Sequence, residues 1–217
     1  MRSWLIWFLL ALPLLAIPLD RYESSVAAYE SADRLKTPAT GGTLFLGSST
    51  FTLWGPDLER EFAQFHALNR GFGGSTIAEI DHYLERICFP YRPRLLVFYA
   101  GTNDIAEGHS PQQLVSDFAH LTDHLRQKLP DTRVAYVSMA MPPSRARFEQ
   151  EYTSANQLLR EFTEKKPNLD FLDVSKLLLD EQGRPRGQYY RDDQLHMKPA
   201  GYALWAPVIR TYLETHQ

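Results

Sequence analysis

The chain has 217 residues, 44% of them apolar, enough to bury one substantial core and to argue for a single domain. Lys and Arg number 23 against 26 Asp and Glu, a formal net charge of −3 with no basic run or stripe, so nucleic acid is not expected as a partner. Cys88 is the only cysteine, which excludes an intramolecular disulfide and a thiolate metal cluster.

At the amino terminus, Ser3 to Leu19 is free of charge, with Arg2 before it and Asp20, Arg21 and Glu23 after it. Seventeen uncharged residues fall at the short end of the roughly 17–25 that span a bilayer and above the roughly 7–15 of a signal-peptide core. Residues 1–19 therefore read as a hydrophobic signal or anchor segment, cleaved or retained, with membrane attachment through residues 3–19 as one outcome. Arg2 before the run and acidic residues behind it put the domain outside the cytoplasm, periplasmic or secreted. Residues 20–42 mix charges with small residues and close in Thr37-Pro38-Ala39-Thr40-Gly41-Gly42, which reads as a short amphipathic piece followed by a juxtamembrane linker. The folded domain, residues 43–217, is then expected to begin at about Thr43.

Thr43 to Leu46 is a short apolar run ending in Gly47-Ser48-Ser49-Thr50, a strand buried on both faces that delivers hydroxyls to a sheet edge. Pro56-Asp57 opens a helical pattern through Leu58, Phe62 and Phe65. His66 to Asn69 is a second strand, followed by a glycine-rich turn, Gly71-Phe72-Gly73-Gly74, and a helix carrying Ile77, Ile80, Leu84 and Ile87. Arg94 to Tyr99 is a third strand closed by Gly101-Thr102-Asn103-Asp104, and Ser110-Pro111 caps a long helix. Val134 to Val137 and Leu169 to Leu172 supply strands four and five, separated by a helix from about Arg147 to Lys165; a last helix begins near Pro199. Five alternations of strand and helix predict a parallel sheet covered on both faces, a flavodoxin-like three-layer α/β fold.

Such sheets react at the carboxyl ends of their strands. Ser49 follows strand one, Gly74 strand two, Asn103 strand three, and Asp193 and His196 lie beyond strand five, so all are expected on one edge. A serine hydroxyl becomes a nucleophile only beside a base that a third group orients, and Asp193 with His196 offers that pair. Ser48 and Thr50 carry hydroxyls one step from Ser49.

Gly47-Ser48-Ser49, Asn69 to Thr76, Gly101-Thr102-Asn103-Asp104 and Asp193 with His196 stand in the order of four sequence blocks, and on them the chain resembles the SGNH branch of the GDSL hydrolases. The resemblance covers the chain from about Thr43 onward. It implies Ser49 as nucleophile, Asp193 and His196 as its triad partners, and the Ser49 N–H, Gly74 N–H and Asn103 amide as an oxyanion hole. It also implies broad hydrolysis of esters and names no substrate; the leading reading is a serine esterase acting on a small acyl ester, for example acetyl, of a carbohydrate or lipid, with no cofactor or metal. One departure stands out: Ser48 occupies the place of the family's usual aspartate.

An acyltransferase would use the same residues. A flavodoxin-like module binding phosphate through the loop after strand one is a rival from another class, but it leaves Asp193 and His196 without a task. His120 and His124 are four apart on one helix, without the His-Glu-x-x-His pattern, and read as a solvated face. Asp192, Asp193 and His196 are likewise conceivable metal ligands that ester chemistry does not require. Arg145 and Arg147 read as an exposed loop or as an anion-recognising pair; Trp54, Tyr189 and Tyr190 read as pocket lining or packing.

Overall fold

The computed structural model describes residues 20–216. The expected signal or anchor segment, residues 1–19, lies outside them. In chain order the elements are α1 (Glu23–Leu35), β1 (Thr43–Gly47), α2 (Ser49–Trp54), α3 (Pro56–Glu61), β2 (Ala67–Asn69), α4 (Ile77–His82), α5 (Leu84–Ile87), β3 (Leu95–Tyr99), α6 (Thr102–Ala106), α7 (Pro111–Lys128), β4 (Arg133–Val137), α8 (Glu149–Thr163), β5 (Leu169–Leu172) and α9 (Pro199–Thr215). The five strands form one parallel sheet in the order β2-β1-β3-β4-β5, the flavodoxin-like winding.

Successive side chains of a strand face opposite ways, which is why the apolar runs are continuous. Leu44, Leu46, Leu96, Phe98, Val134 and Tyr136 enter one core with residues of α1, α4, α5, α7 and α8. Phe45, Leu95, Val97, Tyr99, Ala135 and Val137 enter a second core with residues of α2, α3 and α9. Gly47 is required where β1 ends: a Cβ there would stand 2.1 Å from the Tyr99 carbonyl oxygen.

Helix starts are locally encoded. Ser110 Oγ accepts from the Gln113 N–H at 3.1 Å and Pro111 opens α7. Thr76 and Glu79 close a reciprocal capping box on α4, with Thr76 N–H donating to Glu79 Oε2 at 2.9 Å.

Two expectations change. The helix expected over Ile77 to Ile87 is broken at Tyr83 into α4 and α5. Residues 20–42 are not merely a linker: α1 packs on the domain, so the folded unit extends upstream of Thr43. Val26 is fully buried, and polar ties do the rest. Asp33 accepts from Arg70 and from the Tyr91 hydroxyl, each at 2.5 Å, while Arg86 donates to Glu23 and Glu30 at 2.6–2.9 Å. Among the described residues, no helix is long and apolar enough to cross a membrane.

Candidate active site

All five strands point their carboxyl ends at one edge, and the loops leaving them meet there. Ser49 is the first residue of α2, directly behind β1. Its Oγ lies 3.2 Å from His196 Nε2, and His196 Nδ1 lies 2.7 Å from Asp193 Oδ2. Ser48 is buried with no partner for its Oγ, so of the neighbouring serines it is Ser49 that meets the imidazole.

The His–Asp pair is a local construction. Asp193 Oδ1 accepts from the backbone N–H groups of Leu195, at 2.9 Å, and His196, at 3.0 Å, closing a tight turn through a left-handed Gln194. Those backbone donors, with the His196 ring, hold the Asp193 carboxyl well below the usual carboxylate range. Exposure to water favours the same charged form.

The opposite wall is built from distant pieces. Gly74, at φ +88°, closes the turn after β2, and its N–H is unpaired among the described residues, as is that of Ser49. A side chain at Gly74 would be strained, and its Cβ would stand 3.0 Å from the Tyr22 hydroxyl. Asn69 Nδ2 donates to the Phe51 carbonyl at 2.8 Å while its Oδ1 accepts from Gly71 N–H at 3.0 Å, tying this turn to α2. Asn103 is buried near the start of α6, and its Nδ2 donates to the Ser75 carbonyl at 3.0 Å, leaving a second amide hydrogen. Its Oδ1 accepts from Arg145 at 3.1 Å. Since a guanidinium can only donate, this contact fixes which way the amide faces.

Arg145 is not the exposed loop residue of its first sequence reading. In the turn after β4, it spans Asn103 Oδ1 and the Thr102 carbonyl, the latter at 2.6 Å, rather than serving an exposed loop. Its partners lie 42 and 43 positions away, and no sequence signal marks that link. Arg147 is exposed and stacks on Phe148. Tyr190 lines the site, its hydroxyl donating to the Met141 carbonyl at 3.2 Å, whereas Trp54 stacks on Tyr202 and Tyr189 under Arg186. His124 pairs with Asp81 at 2.8 Å, and His120 is solvated.

Beside Ser49 and His196 lies a cavity walled by Tyr99, Ala140, Leu178, Tyr190, Met197 and Trp205. The arrangement can deprotonate a hydroxyl and orient the base.

The profile of the GDSL-like lipase/acylhydrolase family matches residues 39–204, and the chain belongs to that family of ester-hydrolysing enzymes. A comparison with curated proteins finds no match. Among solved structures, it is similar to a GDSL-like lipase from Bacteroides thetaiotaomicron: TM-score 0.76 and 17% identity, covering 88% of this chain and 98% of that one. It is also similar to a carbohydrate esterase family 3 protein from Talaromyces cellulolyticus (0.67, 14%, 81% and 97%). A third is the catalytic domain of peptidoglycan O-acetyltransferase A from Streptococcus pneumoniae (0.63, 19%, 82% and 96%). At these identities the likeness carries the fold.

Proposed function

We propose that the chain is a serine esterase that removes a short, acetyl-sized acyl group from an ester of a carbohydrate or lipid. The observation that carries this reading is the run of contacts from Ser49 Oγ through His196 to Asp193. Ser49 Oγ bonds to the ester carbonyl carbon as its proton passes to His196 Nε2. The carbonyl oxygen, now negative, takes hydrogen bonds from the Ser49 and Gly74 N–H groups and from Asn103 Nδ2. Collapse breaks the bond to the alcohol, which leaves with the proton held on Nε2. Water then attacks the acyl-serine, giving its proton to His196; the acid departs and Ser49 recovers its hydrogen. Asp193 stabilises the imidazolium in both halves. No step calls for a cofactor.

The likeness to an O-acetyltransferase supports a second reading in which an acceptor hydroxyl replaces water in the last step. The charge pattern around residues 3–19 supports an extracytoplasmic site of action.

A panel of chromogenic esters from acetate to long-chain acyl, run on the full chain, tests the proposal. Turnover falling steeply with acyl length is expected. Hydrolysis of none of them, or a preference for long chains, overturns it. Free acid measured against acylated product, with and without acceptor sugars, separates hydrolase from transferase.

A further inference from the structure

A second gathering of charged groups lies away from the triad, and the ester chemistry does not use it. Asp104 follows Asn103 on α6, His109 lies on the loop after it, and Asp117 sits on α7. One ligand atom from each of the three residues lies within 4.8 Å of the others.

The other atoms of these groups are occupied. Asp104 Oδ1 accepts from Ile77 N–H at 2.9 Å, and Asp117 Oδ1 accepts from Gln113 Nε2 at 2.8 Å. The His109 N–H donates to the Asp104 carbonyl at 2.9 Å, which folds the loop back so that its ring joins the group. What is left over is unpaired: Asp104 is fully buried, yet its Oδ2 has no hydrogen-bond partner among the described residues, and neither has the buried Nδ1 of His109. Asp117 Oδ2 faces that Nδ1 at 3.9 Å, too far for a hydrogen bond.

Buried polar atoms are almost always satisfied, so two orphans converging with a third acceptor call for an occupant. One occupant that satisfies all three is a single cation that takes two carboxylate oxygens and one imidazole nitrogen. Ligands at about 2.1 Å stand at most about 4.2 Å apart across an ion; the 3.9 Å between His109 Nδ1 and Asp117 Oδ2 is within that span, and the 4.8 Å bound on the three together leaves a small closing movement on loading. Calcium wants six to eight oxygens, and magnesium an octahedron of them; an imidazole with two carboxylates suits a first-row transition ion of the zinc kind.

We propose that Asp104, His109 and Asp117 form a binding site for one divalent transition-metal ion, which braces the segment carrying Asn103 without taking part in ester cleavage. The ion joins α6 to α7 from behind, while Asp104 holds the start of α4 through Ile77. It would therefore stiffen the segments next to both Gly74 and Asn103.

The full chain, stripped with a chelator, is titrated with Zn²⁺ alone and followed by calorimetry, elemental analysis and thermal unfolding. One equivalent should bind, and at about a hundredfold excess over Kd the Tm should rise by about 5–10 °C. Mg²⁺ at the same concentration should do neither. His109→Gln and Asp117→Asn should each weaken binding by at least about 100-fold while keeping the wild-type circular dichroism. These two are chosen because Asp104→Asn disturbs the Ile77 contact and threatens the fold itself. No bound zinc in the wild type, zinc retained by both variants, or zinc binding abolished by His196→Ala with His109 intact overturns the proposal.

Discussion

The two halves of the proposed catalytic edge are built in opposite ways. Asp193 and His196 are three residues apart in an exposed turn, and their geometry is set by hydrogen bonds inside that turn. The wall carrying Gly74 and Asn103 is half-buried to buried and held by groups from three separate segments: Arg21 on the Gly74 carbonyl at 3.3 Å, Asn69 on α2 and Ser75 on Asn103 from the turn after β2, and Arg145 on Asn103. Proton transfer tolerates a local device because donor and acceptor close up as substrate arrives. Stabilising a fleeting charge requires donors that do not reorganise, and burial with several tethers supplies that rigidity.

This contrast can be broken by substitution, with acetate-ester turnover as the readout. Ser49→Ala and His196→Ala should each lose about 10⁶ in kcat, while Ser48→Ala keeps most of it. Asp193→Asn should lose about 10⁴, because the imidazole then rests in the wrong tautomer. Asn103→Ala should lose about 10²–10³. Arg145→Ala should lose about 10-fold or more, chiefly in kcat, and Arg145→Lys should not restore it because an ammonium cannot span the Thr102 and Asn103 oxygens as the planar fork does. Finally, Arg21→Gln, which leaves buried Glu79 without its ion-pair partner and releases the Gly74 carbonyl, should cost about 3 kcal/mol, read as a Tm drop of about 6–12 °C, with a kinetic loss smaller than that of Asn103→Ala. A larger kinetic loss from Arg21→Gln than from Asn103→Ala would erase the distinction between tether and donor.

The strands were legible because burial on both faces writes an uninterrupted apolar run, and the long helices because Ser110-Pro111 and Pro199 announce them. That Ser49, Asp193 and His196 would meet was legible because Ser49 follows a strand closely and the other two share a charged loop beyond strand five, at the same sheet edge. α2 was not, since six residues after a serine pair carry too little periodicity. Nor was the docking of α1, because it buries one valine deeply and relies on ion pairs whose partners lie 37 to 63 positions away. Arg145 escaped for the same reason: nothing in the residues around it hints at Asn103.

Arg21 and Tyr22 touch the Gly74 turn, whereas the other end of the described chain, at His216, is held by Arg94 just ahead of β3, on the far side of the sheet. The molecule therefore has poles. Immobilised through its carboxyl end, it would turn its reactive mouth outward to solution. Joined to a bulky fusion partner just before Asp20, it would carry that partner at the doorway through which substrate must pass.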